Sequence, residues 1–403
     1  MISKRVHICG AGPVGIVTAL GLCRVGIPVT ILEADEDVCQ DLKACYYHVP
    51  SVDILEDIGM LDKLLEGGTK DQELRFTDAG LGRSVDINLG VLSRNFRNPY
   101  AVSAGQDWFA RVGYEVLKAD GYDCDVQFGH RVVSTRQDAE RVTVEVDTPK
   151  GRKTIQTQWL IGCDGGRSQV RRSQDIKLGG FTWPDRFLLI ETSHDLEPEF
   201  GRLDYRANGP DWRLVIRIPF GPGANDWTYR VVCGIQEGTA DEDVLNEAFC
   251  QSRLQELKPL SVPYEITNKT IYNVHQKYAE TFRKGRIILA GDASHMNNPI
   301  GGLGLNSGIH DAQNLIEKFS KVWLENEDDS ILDLYDRQRR LTCRDCIQKM
   351  SIENKERNEI TDLGEREKMM DYLEGIASDE DKLHTFLYRW AMADSLDYAN
   401  RVS

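Results

Sequence analysis

The run Gly10-Ala11-Gly12-Pro13-Val14-Gly15 limits this chain more than any other string in it. It follows a short apolar strand, Val6-His7-Ile8-Cys9, and leads into Ile16-Val17-Thr18-Ala19-Leu20, which opens a helix. A second buried strand, Pro28 to Leu32, ends on Glu33 and Ala34. Strand, glycine loop, helix and strand make the βαβ unit that holds a dinucleotide. Gly10 permits the tight turn, Gly12 lets backbone approach a pyrophosphate, and Gly15 lets helix pack close on strand. Pro13 and Val14 start the helix, whose unpaired N–H groups face the phosphates. Glu33 stands where a carboxylate accepts hydrogen bonds from adenosine ribose hydroxyls. It would repel a 2′-phosphate, so this site is not expected to hold NADP.

Two later segments narrow the ligand. Trp159 to Gly162 reads as a strand that runs into Cys163-Asp164-Gly165-Gly166. Arg286 to Ala290 reads as another, followed by Gly291-Asp292-Ala293, then Pro299 to Gly308 and a helix over 309–324. Singly these are ordinary turns; in this order and at these separations they point to FAD. Over residues 4 to 350 the chain resembles the single-component (class A) FAD-dependent aromatic hydroxylases, of the para-hydroxybenzoate hydroxylase type. The resemblance implies a Rossmann-like α/β lobe for FAD, an inserted mixed β-sheet substrate domain and a C-terminal helical segment. It implies that Asp292 bonds the ribityl and pyrophosphate region and that Pro299 lies against the isoalloxazine. The helix start at Gly302, Gly304, Leu305 and Asn306 then turns N–H groups to the flavin N1/O2 edge, where a helix N-terminus stabilises the anionic reduced ring. Asp164 and Gly165 line the FAD and pyridine-nucleotide side, Gln106 contacts FAD, and Val132 covers the adenine. Three departures stand out. Lys43 replaces an Arg and lacks its planar fork, Asn298-Pro299 replaces Pro-Pro, and Gly-Leu-Gly-Leu-Asn replaces Gly-Gln-Gly-Met-Asn.

At 403 residues the chain suits two lobes. The expected division is an FAD lobe of 1–179 plus 269–350, a substrate sheet of 180–268 joined by part of 70–100, and a helical tail of 351–403. The tail is expected on the FAD lobe or against a second subunit in a homodimer. A net charge of −15 argues against nonspecific nucleic-acid binding. No signal peptide and no membrane-spanning run is visible, and the expected location is the cytoplasm. The ten cysteines lack metal-like grouping, so no metal is expected. The only CxxC, Cys343 to Cys346, lies in a charged helical stretch, where bridging adjacent turns would constrain little.

The implied activity is hydroxylation of a phenolic or hydroxylated N-heteroaromatic, carboxylated small molecule. NADH or NADPH reduces the noncovalent FAD, and O2 then reacts to a flavin C4a-hydroperoxide that attacks the ring. Strand alternation puts Val215 and Arg217 on one face, making Arg217 a candidate for substrate anions. His48 is a candidate base for a phenolic proton, and Tyr205 is a third candidate; packing alone would also account for each. His295 reads as a structural hydrogen-bonder near FAD. Two alternatives remain at this level: a flavin-dependent halogenase, whose expected Trp-x-Trp-x-Ile string is missing, and a non-catalytic FAD-binding ligand sensor.

Overall fold

A computed structural model describes residues 3–40, 44–119, 121–221, 223 and 226–403. Its centre is a six-stranded sheet. The strands run in the order Arg283–Lys284, Ile287–Leu289, Leu160–Gly162, Val6–Cys9, Val29–Leu32 and Cys124–Gln127. All neighbours are parallel except the first pair. The middle four strands are buried on both faces, which is why they read as continuous apolar runs. Helix Pro13–Arg24 packs on this sheet against helix Leu303–Leu324 so closely that a Cβ on Gly21 would lie 2.2 Å from Ile316. A three-stranded antiparallel sheet, Arg131–Gln137, Val142–Thr148 and Gly151–Thr157, flanks it.

The second large layer is an eight-stranded sheet. Its order is His295–Met296, Ile266–Ala279, Leu178–Thr192, Asp226–Ile235, Arg213–Phe220, Leu203–Ala207, Glu73–Asp78 and Arg83–Asn88. The chain enters it from three separate stretches, and Ile266–Ala279 runs unbroken across the expected 268/269 boundary. One face carries Phe187, Leu189, Leu203, Tyr205, Ile216 and Val232, packed with Tyr46 and Ile300. The other carries Leu188, Ile190, Val215, Tyr229 and Val231 beneath Phe200, Cys250 and Leu254.

Two expectations need correction. The helix after the third motif begins at Leu303, six residues early, because Gly301 (φ +93°) and Gly302 (φ +67°) make a left-handed turn that launches it. The tail, helices Gln348–Asn358, Leu363–Ala377, Glu380–Trp390 and Ala393–Arg401, docks chiefly on the eight-stranded sheet. Met370, Leu373, Leu387 and Trp390 join the core on the Tyr205 face. Arg366 donates to Asp78 at 2.7 Å, and Arg83 bridges Asp371 and Glu374 at 2.8 Å each. The tail also reaches the FAD lobe: Trp390 packs on His48, Asn354 donates to the Ile300 carbonyl, and at the end of the tail Gln338 donates to the Val402 carbonyl. The Cys343–Ile347 stretch is helical as expected, but it is a π-turn joining two helices, and both thiols are free.

Candidate active site

The order of the central sheet gathers the sequence motifs. Leu289, Gly162, Cys9 and Leu32 are the C-terminal ends of four adjacent strands. Gly291-Asp292, Cys163-Asp164-Gly165, Gly10–Gly15 and Glu33 therefore stand side by side along one edge. That edge lies outside the carboxyl ends of parallel strands, where open α/β sheets bind ligands.

The glycines of the first loop have different reasons to be glycine. Gly10 has φ +103°, and a Cβ there would lie 2.5 Å from the Cys163 carbonyl oxygen. A Cβ on Gly15 would lie 2.0 Å from the Gly10 oxygen. The chain itself demands both. Around Gly12 nothing lies within 4 Å of a Cβ, and it caps helix Pro13–Arg24 without a side-chain acceptor. Its N–H neighbours thus face an open cradle suited to a pyrophosphate. Val14 packs under Gly291 and Gly308, whose added Cβ atoms would lie 2.8 and 2.5 Å from its methyl carbon, so the first motif supports the third.

Glu33 is held by its own loops: it accepts from Ala11 N at 2.6 Å and Asp35 N at 2.9 Å. Each oxygen keeps a further acceptor position. Ala34 is half-buried beside it. His130 N donates to the Glu33 carbonyl at 2.7 Å, which brings buried Val132 to the same end. Gln106 opens its helix and accepts from Ala44 N at 3.2 Å. Lys43 lies outside the described residues.

Asp164 is turned inward. It accepts from Ser168 Oγ at 2.5 Å, Gln169 N at 2.6 Å and Val170 N at 3.0 Å, capping helix Gln169–Ser173. Its carboxylate is therefore committed to its own turn, and Gly165 (φ +75°) offers open backbone instead. Asp292 is exposed on the third turn, and so is Pro299.

That third turn stands on a buried charge hub that sequence reasoning missed. Asp311 accepts from Arg339 Nε at 2.6 Å, His295 Nε2 at 2.7 Å and Gly291 N at 3.1 Å. Burial alone would raise the Asp311 carboxyl; His295 and Arg339 outweigh it and hold it below the usual range. His295 is thus the hydrogen-bonder the sequence suggested. Arg171, also missed, donates to the Ala293 and Gly166 carbonyls at 2.8 and 2.9 Å and joins the second motif to the third. A faint signal existed: Ser307, Asp311 and Asn314 occupy the buried stripe of helix Leu303–Leu324.

Around the Pro299–Asn306 turn, Asn306 uses its side chain as well as its backbone. Its amide donates to the Tyr46 carbonyl at 2.9 Å and the Gly302 carbonyl at 2.7 Å, while its oxygen accepts from His48 N at 2.8 Å. The adjoining Gly304 and Leu305 are half-buried at the helix start. His48 Nε2–H donates to the Gly301 carbonyl at 2.7 Å. Burial pulls the His48 imidazole down to about 4, and its ring sits edge-on to Trp390 at 4.5 Å. The near-neutral base expected from the sequence is corrected: His48 is a neutral prop under the glycine turn.

Tyr205 is buried on the sheet face that also carries Tyr46, stacked on Phe76 at 5.3 Å. Burial raises its phenol, which keeps the hydroxyl protonated. Arg217 does not join it. The predicted alternation holds, but Arg217 sits opposite Tyr229 on the other face, 3.4 Å from Glu197 and 5.2 Å from the Trp227 ring. The arginine on the Tyr205 face is Arg230, opposite Ile216 in register and buried, with Glu191 at 2.6 Å. The same alternation applied to the run from Trp227 to Cys233 would have found it. Among the described residues no His, Cys, Asp and Glu cluster could hold a metal ion, and no helix is long and apolar enough to cross a membrane.

Four turns on one edge of a parallel sheet, with an open helix N-terminus among them, define a dinucleotide-binding flavoprotein lobe, and the donor set fits FAD. The chain belongs to the FAD binding domain family, which it matches over residues 3–350. It is 31% identical to para-nitrophenol 4-monooxygenase of Pseudomonas sp. (strain WBC-3) over 83% of this chain and 82% of that one. It is 31% identical to 6-hydroxy-3-succinoylpyridine 3-monooxygenase of Pseudomonas putida (strain DSM 28022 / S16), covering 84% and 85%. The crystal structure of p-nitrophenol 4-monooxygenase from Pseudomonas putida DLL-E4 superposes with a TM-score of 0.90, at 27% identity, over 99% of both chains. The protein is accordingly an FAD-dependent monooxygenase of the aromatic hydroxylase class. Neither the halogenase nor the ligand-sensor alternative gains support from these relatives.

Proposed function

We propose that this enzyme hydroxylates a phenol or hydroxypyridine, bearing an acidic substituent, at the expense of NAD(P)H and O2. The observation that carries the reading is the alignment of Gly291-Asp292, Cys163–Gly165, Gly10–Gly15 and Glu33 along one sheet edge. The relatives acting on para-nitrophenol and on 6-hydroxy-3-succinoylpyridine support the substrate class.

Bound FAD supplies the redox chemistry, accepting a hydride from NAD(P)H and activating O2. The chain's residues then divide the remaining work. The N–H groups after Gly12 would hold the pyrophosphate, Glu33 the ribose, and Val132 the adenine. Asp292 would hold the ribityl chain, and Pro299 would line the ring system. The N–H groups of Gly304, Leu305 and Asn306 stabilise negative charge on the ring, because the helix is uncapped there. His48 and Asn306 hold that turn rigid from behind. On the roofing sheet, Tyr205 donates a hydrogen bond to the substrate oxygen. Arg230 supplies the positive charge that favours the electron-rich phenolate, with Glu191 setting its orientation. Packed tail side chains exclude water. We place the enzyme in the cytoplasm, as a monomer or homodimer.

The test is a panel of phenols and hydroxypyridines given to the FAD-loaded protein, scored by stimulated NAD(P)H oxidation and by product mass in 18O2. Stimulation with one 18O atom in the ring is expected. Label confined to hydrogen peroxide with every active compound, or ring oxygen drawn from water, would overturn the assignment.

A further inference from the structure

Helices Gln348–Asn358, Leu363–Ala377 and Glu380–Trp390 of the tail line an open cleft of about 490 Å³, a size that suits a small ligand. Phe386, Trp390 and Tyr372 give it aromatic walls, and Arg357 opens into it. The other charges around it are paired. Glu353 takes Arg389 at 2.5 Å, Asp381 takes Arg94 at 2.7 Å, and Lys382 takes Asp379 at 3.0 Å. Arg357 is half-buried, and among the described residues it has no ion pair and no hydrogen bond. The nearest counter-charge, Glu353, is already taken by Arg389, and a guanidinium partly removed from water without a partner of its own favours an anion that completes it. Burial lowers its pKa, and the shared Glu353 only partly offsets that.

The cleft touches the flavin-facing turn without merging with the place beside Tyr205. Phe386 stands edge-on to Phe76 at 6.1 Å, and Trp390 edge-on to Tyr46 at 6.0 Å; together they form the partition. Asn354, in the cleft wall, donates to the Ile300 carbonyl at 3.5 Å. His48, against Trp390, holds the next carbonyl, Gly301.

We propose that this cleft is a second binding site, for a small aromatic carboxylate, in which Arg357 takes the carboxylate as a bidentate partner and Phe386 and Trp390 flank the ring. It is a staging site one side-chain layer from the turn that meets the flavin. The proposal rests on the monooxygenase assignment only for the ligand class, which is that of the expected substrate. The bidentate pair suits an arginine better than a lysine.

The probe is 4-bromobenzoate, which lacks the ring hydroxyl that hydroxylation needs, titrated calorimetrically into the FAD-loaded enzyme. Wild type should bind it, and Arg357→Gln should weaken binding about ten- to a hundredfold, the range for a hydrogen-bonded charge. Arg357→Lys should fall between the two, and the neutral 4-bromobenzamide should bind as weakly as the Gln variant allows the acid to bind. Equal affinity in wild type and Arg357→Gln, or equal affinity of acid and amide, overturns the proposal. Bromine anomalous scattering from soaked wild-type crystals tests it without any variant: a peak between Phe386 and Trp390 is expected, and a peak solely beside Tyr205 overturns it. Neither readout needs turnover. An enzyme that binds the probe here yet hydroxylates nothing would refute the activity and leave this site standing.

Discussion

The cofactor edge and the substrate roof are built on different principles. Along the edge, the requirements fall on backbone: Gly10 and Gly15 are glycine because a carbonyl oxygen occupies the space a Cβ would take. On the roof, the requirements fall on which of two faces a side chain points to, and neighbouring positions such as Ile216 and Arg217 point to opposite ones. A backbone requirement restricts the residue type at a fixed position and is visible in one sequence. A face requirement depends on what lies across the sheet, which the sequence does not display.

The contrast can be broken most severely at Gly15. Gly15→Val should abolish the folded state, since the clash is with backbone and cannot relax; a loss above about 4 kcal/mol is expected. Gly12→Val has room and should leave the apo-protein's melting temperature near wild type while FAD content falls to background. If both variants unfold alike, the distinction between chain-imposed and ligand-imposed glycines is wrong. Next in size is the hub beneath the third turn. Asp311→Asn leaves Arg339 and His295 buried without their carboxylate, a loss of about 3–5 kcal/mol, read by denaturant unfolding.

Acid should expose the same support layer. Burial holds His7 at about 4, His48 at about 4 and His310 at about 3, against an ordinary 6.5. Below 6.5 the unfolded chain takes up protons that these folded sites refuse, so stability is complete above that pH and declines as pH falls toward 4. By pH 5 each site removes about 2 kcal/mol. Asp311, held low by its partners, adds a further loss only below the usual carboxylate range. Thermal melting at pH 7 and pH 5 measures the decline, and His48→Gln should flatten it.

For the roof, the sharpening pair is Arg230→Met against Arg217→Met. Loss of a charge-assisted contact should raise KM for an anionic substrate about tenfold or more at Arg230, with no more than a twofold change at Arg217. Equal effects would mean that the two sheet faces do not divide the chemistry. The smallest effect is expected at Glu33→Ala, where FAD affinity falls about tenfold and the preference between NADH and NADPH stays as it was.

Much of the edge was legible. The βαβ unit, the second and third motifs and Glu33 are local strings whose spacing follows from strand and turn geometry. The supports were less so, because Asp311, Arg171 and Arg339 act on turns far away in sequence and look, locally, like polar residues on helices. One string shows the His48 imidazole near tyrosines, but not the burial that lowers its pKa or its hold on the Gly301 carbonyl. Arg217 and Arg230 both sit in apolar alternating strands, and only register puts Arg230 on the Tyr205 face. The tail's docking was illegible for a related reason. Its apolar positions fit any flat core, and what selects the eight-stranded sheet is the pairing of Arg366 with Asp78 and of Arg83 with Asp371 and Glu374.

The parallel pairing of Glu73–Asp78 with Leu203–Ala207 sets a timetable for the ribosome. The hairpin Glu73–Asn88 leaves the exit tunnel roughly 115 residues ahead of its partner strand, which is about 6–25 s of synthesis at common elongation rates. Through that interval it is an unfinished sheet with one bare edge, the kind of surface on which nascent chains stick to one another. The hairpin is charged along its outward side, where Arg75 grips Asp86 at 2.7 Å and Glu73 lies exposed. Charges along such an edge oppose pairing with another chain, which suits a strand that must wait until the remainder of the roof has been made.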